Sequence, residues 1–458
     1  MSIRESIDKA PMSRYQLLVI SISLLIVLIE GYDLLLMAFS ASAVAADWKL
    51  NATAIGLLLS AVGIGMVFGS LLIAPLADRI GRRRMTLLGL GIVTVSMAAS
   101  ALTMNSTQLG ITRVITGLGI GGLVASVPVV ISEFSPLRRR ATWVAIGTAG
   151  LPIGGVVGGF VASIVLGSFG WRASFVVGVV LTLIVFVLVL AAMPESIDFL
   201  LAKRPKNAVE TINRTLRRMK LETVSTLPQP QPRVPNEFIT GLFKAGNGRK
   251  TALISFAFFV MMAAFYFANG WTPRLLLQAG MTAQQSIGAG VLLNLGGAAA
   301  AIGFGLFALK YKKKILTIIS FAGATVAFVL MGISFGSLGW TLFLALAVGM
   351  FIQACATGLF TISPELFPTS VRTAGVGFAV TLGRIGAIIS PILAGVLIDG
   401  GWSAPSLYLL FAVPLILGGL AIVALKLPKR PALVVGADDA ELAPDVQSST
   451  ASVRAATS

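Results

Sequence analysis

Twelve stretches of this 458-residue chain are apolar over about 20 residues or more, enough for a helix to cross a hydrocarbon layer roughly 30 Å thick. Six fall near 15–39, 54–76, 85–104, 108–132, 142–167 and 172–193. After a polar interval, six more fall near 251–277, 284–309, 315–335, 338–362, 373–398 and 404–426. Lipid offers no partner to a peptide group, so segments of this length must satisfy their own backbone as helices. Charged residues make up only 12% of the chain, half the share of a soluble domain, about 25%. The 49 glycines suit helices that approach closely in lipid. The expected fold is therefore an all-α membrane protein of twelve transmembrane helices. The polar start through Arg14 and the length of the first apolar run predict that no leader is cleaved.

The net charge of +17 invites a nucleic-acid reading, but the distribution of charge excludes it. All but five of the 35 basic residues lie in segments that share one side of the membrane if the N-terminus is inside. The exceptions are Lys49, Arg113, Arg172, Arg274 and Arg384. This is the positive-inside pattern, and it predicts an inner-membrane protein with both termini cytoplasmic and a basic surface facing anionic lipid. Cys355 stands alone, so no internal disulfide forms, and the absence of histidine removes a histidine proton relay and disfavours a zinc site. No nucleophile–histidine pair and no phosphate-binding G-x-x-x-x-G-K-[ST] loop is present. The chain is expected to be no enzyme, to need no metal or cofactor, and to act as a monomer.

The two halves repeat. Glu133-Phe134-Ser135-Pro136-Leu137-Arg138-Arg139-Arg140 and Glu365-Leu366-Phe367-Pro368-Thr369-Ser370-Val371-Arg372 both read E-x-x-P-x-x-x-R, 232 positions apart. Such duplications place a substrate site near the midplane, between halves that rock against each other. The expected units are a six-helix bundle over 1–193, a cytoplasmic linker over 194–250, a second bundle over 251–427, and a disordered tail over 428–458. Within the linker, Ile212, Leu216 and Met219 form an apolar stripe expected to lie on the membrane surface, and Pro228 to Pro235 reads as extended chain.

Glu30 and Asp33 lie one turn apart inside the first apolar run, on one helix face. A carboxylate at membrane depth costs at least roughly 2.5–3.5 kcal/mol, so such residues usually face a wet interior and carry protons or ions. Arg384 lies about twelve residues into the eleventh run, with no acid of its own half at that depth. A guanidinium so placed either anchors an external carboxylate through its two-donor fork, bonds backbone carbonyls, or reaches an acid of the first half. Tyr32, Asn269, Trp271 and Gln353, with Phe265, Tyr266 and Asn294, could supply ring stacking and amide hydrogen bonds to a hydroxylated ring.

Leu76-Ala77-Asp78-Arg79-Ile80-Gly81-Arg82-Arg83-Arg84, following the second run, resembles the signature of the major facilitator superfamily, and Pro194-Glu195-Ser196 fits it. Within that superfamily Glu30-Gly31-Tyr32-Asp33 is similar to the D/E-G-x-D motif of the aromatic acid:proton symporters, as is Arg113 followed by Gly117, Gly119 and Gly121. The resemblance implies that the first and fourth helices line a common cavity. At 1.5 Å per residue Arg113 and Asp33 then lie at matching depth and can pair, leaving Glu30 as the carboxylate available to exchange a proton. It also implies that Asp78, Arg82, Glu133 and Arg140 hold the inner gate shut through ion pairs, with Glu365 and Arg372 in the repeated motif. The function it implies is proton symport of a benzoate, hydroxybenzoate or phenylpropanoate. Co-transport of one proton cancels the roughly 2.3 kcal/mol per 100 mV that an anion meets on entering a negative-inside cell. Gly150-Leu151-Pro152-Ile153-Gly154-Gly155 partly resembles a motif of proton-coupled drug exporters, which keeps efflux of amphipathic compounds as an alternative. A membrane sensor of aromatic acids is a third.

Overall fold

Polar residues at the edges of the apolar runs decide where the helices begin. Ser13 accepts the backbone N–H of Gln16 while Gln16 returns a bond to the Ser13 N–H, and Thr282 with Gln285 does the same; each is a capping box. Asn51, Asn105 and Ser403 cap three further helices through side-chain oxygens. This computed structural model describes residues 3–227, 240–243, 247–335, 337–368 and 371–426. The Pro228–Pro235 stretch and the tail from 428 lie outside the described residues.

Among those residues, 11 continuous helices are long and apolar enough to cross a membrane. One of them, Leu137–Ala192, runs for 56 residues and contains Gly170 at φ 74°, a left-handed geometry that a residue with a Cβ adopts at a cost. The chain turns back there, so this helix supplies two spans, 137–169 and 171–192, and the total is twelve. The other first-half spans are Arg14–Trp48, Ala52–Ile80, Arg82–Ala101 and Ser106–Phe134. The seventh to twelfth are Asn247–Gln278, Ala283–Lys310, Lys313–Ile333, Leu338–Leu366, Arg372–Asp399 and Ala404–Ala424.

The packing repeats with a step of six spans. The first packs on the fifth as the seventh packs on the eleventh; the second on the fourth as the eighth on the tenth; the third on the sixth as the ninth on the twelfth. The two largest crossings between the halves are second with eleventh and fifth with eighth, and the first span also meets the seventh. Close approach explains several glycines at these crossings. A Cβ on Gly31 would strike the Leu151 carbonyl, and one on Gly56 the Pro391 carbonyl.

The signature loop also has a local cause. Gly81 adopts φ 104°, and a Cβ there would run into the Glu195 carboxylate, which accepts the backbone N–H groups of Arg83 and Ser196. The Glu195 of Pro-Glu-Ser thus caps the start of the third span, tying the ends of two distant runs together. The second span is irregular before this loop: Gly69–Ile73 forms a π turn and Ala74–Leu76 a 3₁₀ turn. Pro75 lacks an N–H and crowds the preceding turn, which accounts for the break.

One expectation is corrected. Ile212, Leu216 and Met219 do not face lipid. They are at most 2% exposed and join a core with Ile7, Met193, Ile197 and Leu200. The helix Ala208–Arg218 therefore closes on the bundle, its apolar stripe covered by protein instead of membrane.

Candidate functional site

The first span's two acids occupy different environments. Asp33 is fully buried, and its Oδ1 accepts from Arg113 Nη1 at 2.7 Å. Arg113 also donates through Nη2 to Ser100 Oγ and Thr116 Oγ1, at 3.1 and 2.8 Å, and its guanidinium lies 4.8 Å from the Phe175 ring centre. Asp33 Oδ2 and Arg113 Nε have no partner among the described residues. Breaking such a pair from one side strands the other charge in the interior. Glu30 is partly exposed and forms no hydrogen bond among the described residues, although Asp33, Tyr266 and Arg384 lie within its electrostatic reach.

Arg384 comes from the other half and spans the gap. Its Nη1 donates to the Met66 carbonyl at 2.9 Å and to Ser70 Oγ at 3.0 Å. Both acceptors are neutral and lie on the second span beside its π turn. Among the described residues Arg384 has no carboxylate in contact, and half of its fork is uncommitted. Ser70 and Tyr266 therefore join the candidate site. By sequence Tyr266 is one of many cavity candidates, and nothing in the pattern around Ser70 marks it.

The aromatic and amide candidates divide. Asn269 and Asn294 bond each other at 3.1 Å and also cap carbonyls of Phe265 and Gly290. Gln353 is 9% exposed, its side chain without a hydrogen bond among the described residues, and it packs by its Cβ near Gly297 and Pro152, where the fifth and eighth spans cross. Two candidates are corrected to packing roles. Tyr32 is fully buried with its hydroxyl on the Ser174 carbonyl at 2.6 Å. Trp271 is equally buried and donates its indole N–H to the Pro391 carbonyl at 3.1 Å. Neither ring is exposed.

At the end of the bundle that carries the signature loop, the expected gate network looks different. Arg82 pairs with Asp78 at 2.8 Å across the Gly81 turn, between the end of the second span and the start of the third, and Asp78 is 74% exposed. Glu133 accepts from Ser196 Oγ at 2.8 Å. Arg140 pairs with Asp8, and Arg4 donates to the carbonyls of Glu133 and Ser132. The polar segment Ile3–Lys9 is thus docked under the fourth span, a role its sequence did not signal. In the repeated motif Glu365 pairs with Lys313 at 2.8 Å, and Arg372 is exposed. No ion pair joins the two halves here among the described residues.

The opposite end is latched across the halves. Asp399, ending the eleventh span, accepts the backbone N–H groups of Ala52 and Thr53 and the Thr53 hydroxyl, at 2.9, 2.8 and 2.6 Å. A carboxylate on these first N–H groups satisfies donors the helix cannot use and complements its dipole. Ser60 adds a bond to the Ile388 carbonyl at 2.7 Å. Gly150 to Gly155, the exporter-like stretch, serves mainly the first–fifth crossing: a Cβ on Gly154 would meet the backbone of Leu28 and Tyr32.

Comparison with known proteins agrees with this architecture. The family model described as the Major Facilitator Superfamily matches residues 22–383, and again 295–454. The chain is 28% identical over 429 residues to the 4-hydroxybenzoate transporter PcaK of Pseudomonas putida, covering 92% of this chain and 95% of that protein. It is 27% identical over 429 residues to the gallate transporter of Pseudomonas putida, at 93% and 95% coverage. In three dimensions it is similar to the crystal structure of a D-xylose-proton symporter, with a TM-score of 0.71 at 17% identity, covering 89% of this chain and 97% of that one.

Proposed function

The chain belongs to the Major Facilitator Superfamily, and from that premise we propose that this multi-pass transporter carries a benzoate-type aromatic carboxylate together with a proton across the bacterial inner membrane. The observation that carries the proposal is the inequality of the two acids. Asp33 is committed to Arg113, whereas Glu30 is half-buried, without a hydrogen bond among the described residues, and within the field of Arg384. One guanidinium thereby serves two anions in turn. When Glu30 is charged it competes for Arg384; when Glu30 takes a proton, the uncommitted half of the fork is left to the substrate carboxylate. Coupling of this kind is reciprocal: the proton favours the anion and the anion favours the proton. Gln353, Tyr266 and the Asn269–Asn294 pair would meet the ring and its hydroxyl groups. The substrates named for the 4-hydroxybenzoate and gallate transporters are carboxylates of this shape.

The basic end of the bundle is the cytoplasmic one under the positive-inside pattern. Closure at Asp399, with no ion pair across the signature-loop end among the described residues, supports an inward-facing reading. The two six-span halves, 1–193 and 251–427 joined by 194–250, would rock about the second–eleventh and fifth–eighth crossings. Asp78, Arg82, Glu133, Arg140, Glu365 and Arg372 would re-pair at the inner end when the outer end opens.

The test is uptake of radiolabelled 4-hydroxybenzoate into proteoliposomes. An inside-alkaline pH gradient should drive accumulation, and a protonophore or Glu30→Gln should abolish it. Concentrative uptake without the gradient, or in Glu30→Gln, would overturn the reading.

A further inference from the structure

Two concavities lie away from the central site and meet at one residue. The first, about 810 Å³, sits between the helix Ala208–Arg218 and the basic ends of the second, third and sixth spans. Its wall carries seven basic side chains and a single carboxylate, Glu195, and that carboxylate is occupied by the backbone N–H groups of Arg83 and Ser196. Arg79, Arg84, Lys203 and Lys206 have no ion pair among the described residues, and Arg83 Nε is buried without an acceptor. The second is a groove of about 660 Å³ on the outer face of the third span, lined by Leu88, Ile92, Val95, Ile115 and Phe186, with Arg84 at its mouth. Arg84 borders both.

The dimensions and chemistry match one kind of molecule. From Arg84 to Val95 the third span rises about 16 Å at 1.5 Å per residue, the depth of one leaflet's share of a core roughly 30 Å thick. Val95, Ile115 and Leu88 are 70%, 41% and 43% exposed and face lipid. A charged cavity at the membrane surface, opening onto an apolar channel one leaflet deep, is complementary to a phosphate headgroup with an attached acyl chain. Guanidinium and ammonium groups without partners favour an anionic headgroup over a zwitterionic one.

We propose that this composite site binds one anionic glycerophospholipid, its phosphate among Arg79, Arg84, Lys203 and Lys206 and one acyl chain along Leu88, Ile92 and Val95. The bound lipid ties the linker helix to the signature loop, because the cavity wall is built from both. Phosphate chemistry alone would also admit a free anion. The groove is what distinguishes the two: only a lipid uses both parts.

Full-length protein in bilayers of equal phosphatidylglycerol and phosphatidylcholine, released into native mass spectrometry, reports which lipid stays bound. Wild type should retain phosphatidylglycerol preferentially. Lys203→Ala with Lys206→Ala, both at exposed positions, should reduce that preference by about fivefold for each basic side chain removed. Gly91→Trp should fill the groove without touching the charges; a Cβ at Gly91 first meets Phe186 at an ordinary 3.8 Å. This variant should also lose phosphatidylglycerol. Equal retention of the two lipids by wild type, or a preference unaltered by the double lysine variant, would overturn the proposal. So would inorganic phosphate that displaces the lipid and raises the unfolding temperature equally in wild type and Gly91→Trp, since the ligand would then be a free anion.

Discussion

Glu30 and Asp33 are three residues apart on one helix, yet the tertiary surroundings separate their roles. Asp33 accepts from Arg113 inside a shell made by Ser100, Thr116 and Phe175, and removing Arg113 leaves a buried, unpaired carboxylate. Arg113→Leu should therefore destabilise the protein by about 3–5 kcal/mol, read as a lowered unfolding temperature in detergent. Glu30→Gln should leave stability near wild type while ending proton-driven accumulation, with substrate exchange across a membrane lacking a gradient preserved. Glu30→Asp should keep much of the activity. Arg384→Lys retains the charge but not the fork. If Arg384 meets the substrate carboxylate, binding in that variant should weaken by the roughly 2–5 kcal/mol typical of losing a buried charged partner. The amide of the same acid should lose little between wild type and variant. Additive effects of the amide and the mutation in titration calorimetry would remove Arg384 as the anchor and shift attention to Arg113.

At the scale of elements, the N-terminal turn of the second span is capped from across the bundle by Asp399. Loss of a capping carboxylate typically costs about 0.5–2 kcal/mol. In a two-state transporter that is enough to change the ratio of states by about twofold to about thirtyfold. Asp399→Ala should then favour opening at this end. The measurement is labelling of Ser60→Cys by a membrane-impermeant maleimide added from that side: the background Cys355 is buried, and labelling should rise when Asp399→Ala is combined with it. Unchanged labelling would mean that the glycine crossing at Gly56 and Pro391 holds the end closed without the cap. Asp78→Asn belongs at this scale too. Its exposed pair with Arg82 across the signature loop contributes little stability, so the variant should bind substrate normally and cycle slowly.

For the whole molecule, the contact pattern repeats on itself with a step of six spans, and the two largest crossings between halves are the hinges such symmetry provides. A disulfide between Thr53→Cys and Asp399→Cys should arrest transport in the oxidised protein, and a reductant should restore it. Ligand binding from the signature-loop end should survive the lock. Transport at the wild-type rate with the cross-link formed would show that this end need not open, which is incompatible with rocking halves.

Span number, the repeat, the membrane frame and the identity of the intramembrane charges were all readable in the linear sequence. Each follows from a property that lipid enforces residue by residue: apolar length, backbone satisfaction, and the cost of a charge at depth. Matching depth brought Arg113 opposite Asp33 once the family resemblance set the first and fourth helices on a common cavity. What the sequence could not decide was direction around each helix axis. Tyr32 and Trp271 lie at the right depth but turn into helix contacts, Ile212 and Leu216 turn toward protein instead of lipid, and Ser70 turns toward Arg384 because Pro75 disrupts the helix that carries it. The Asp8–Arg140 and Asp399–Ala52 contacts join residues more than 100 positions apart. No local pattern encodes such pairings. They arise only when twelve helices, each free to rotate in its own sequence, lock against one another through glycine crossings that leave a single set of neighbours.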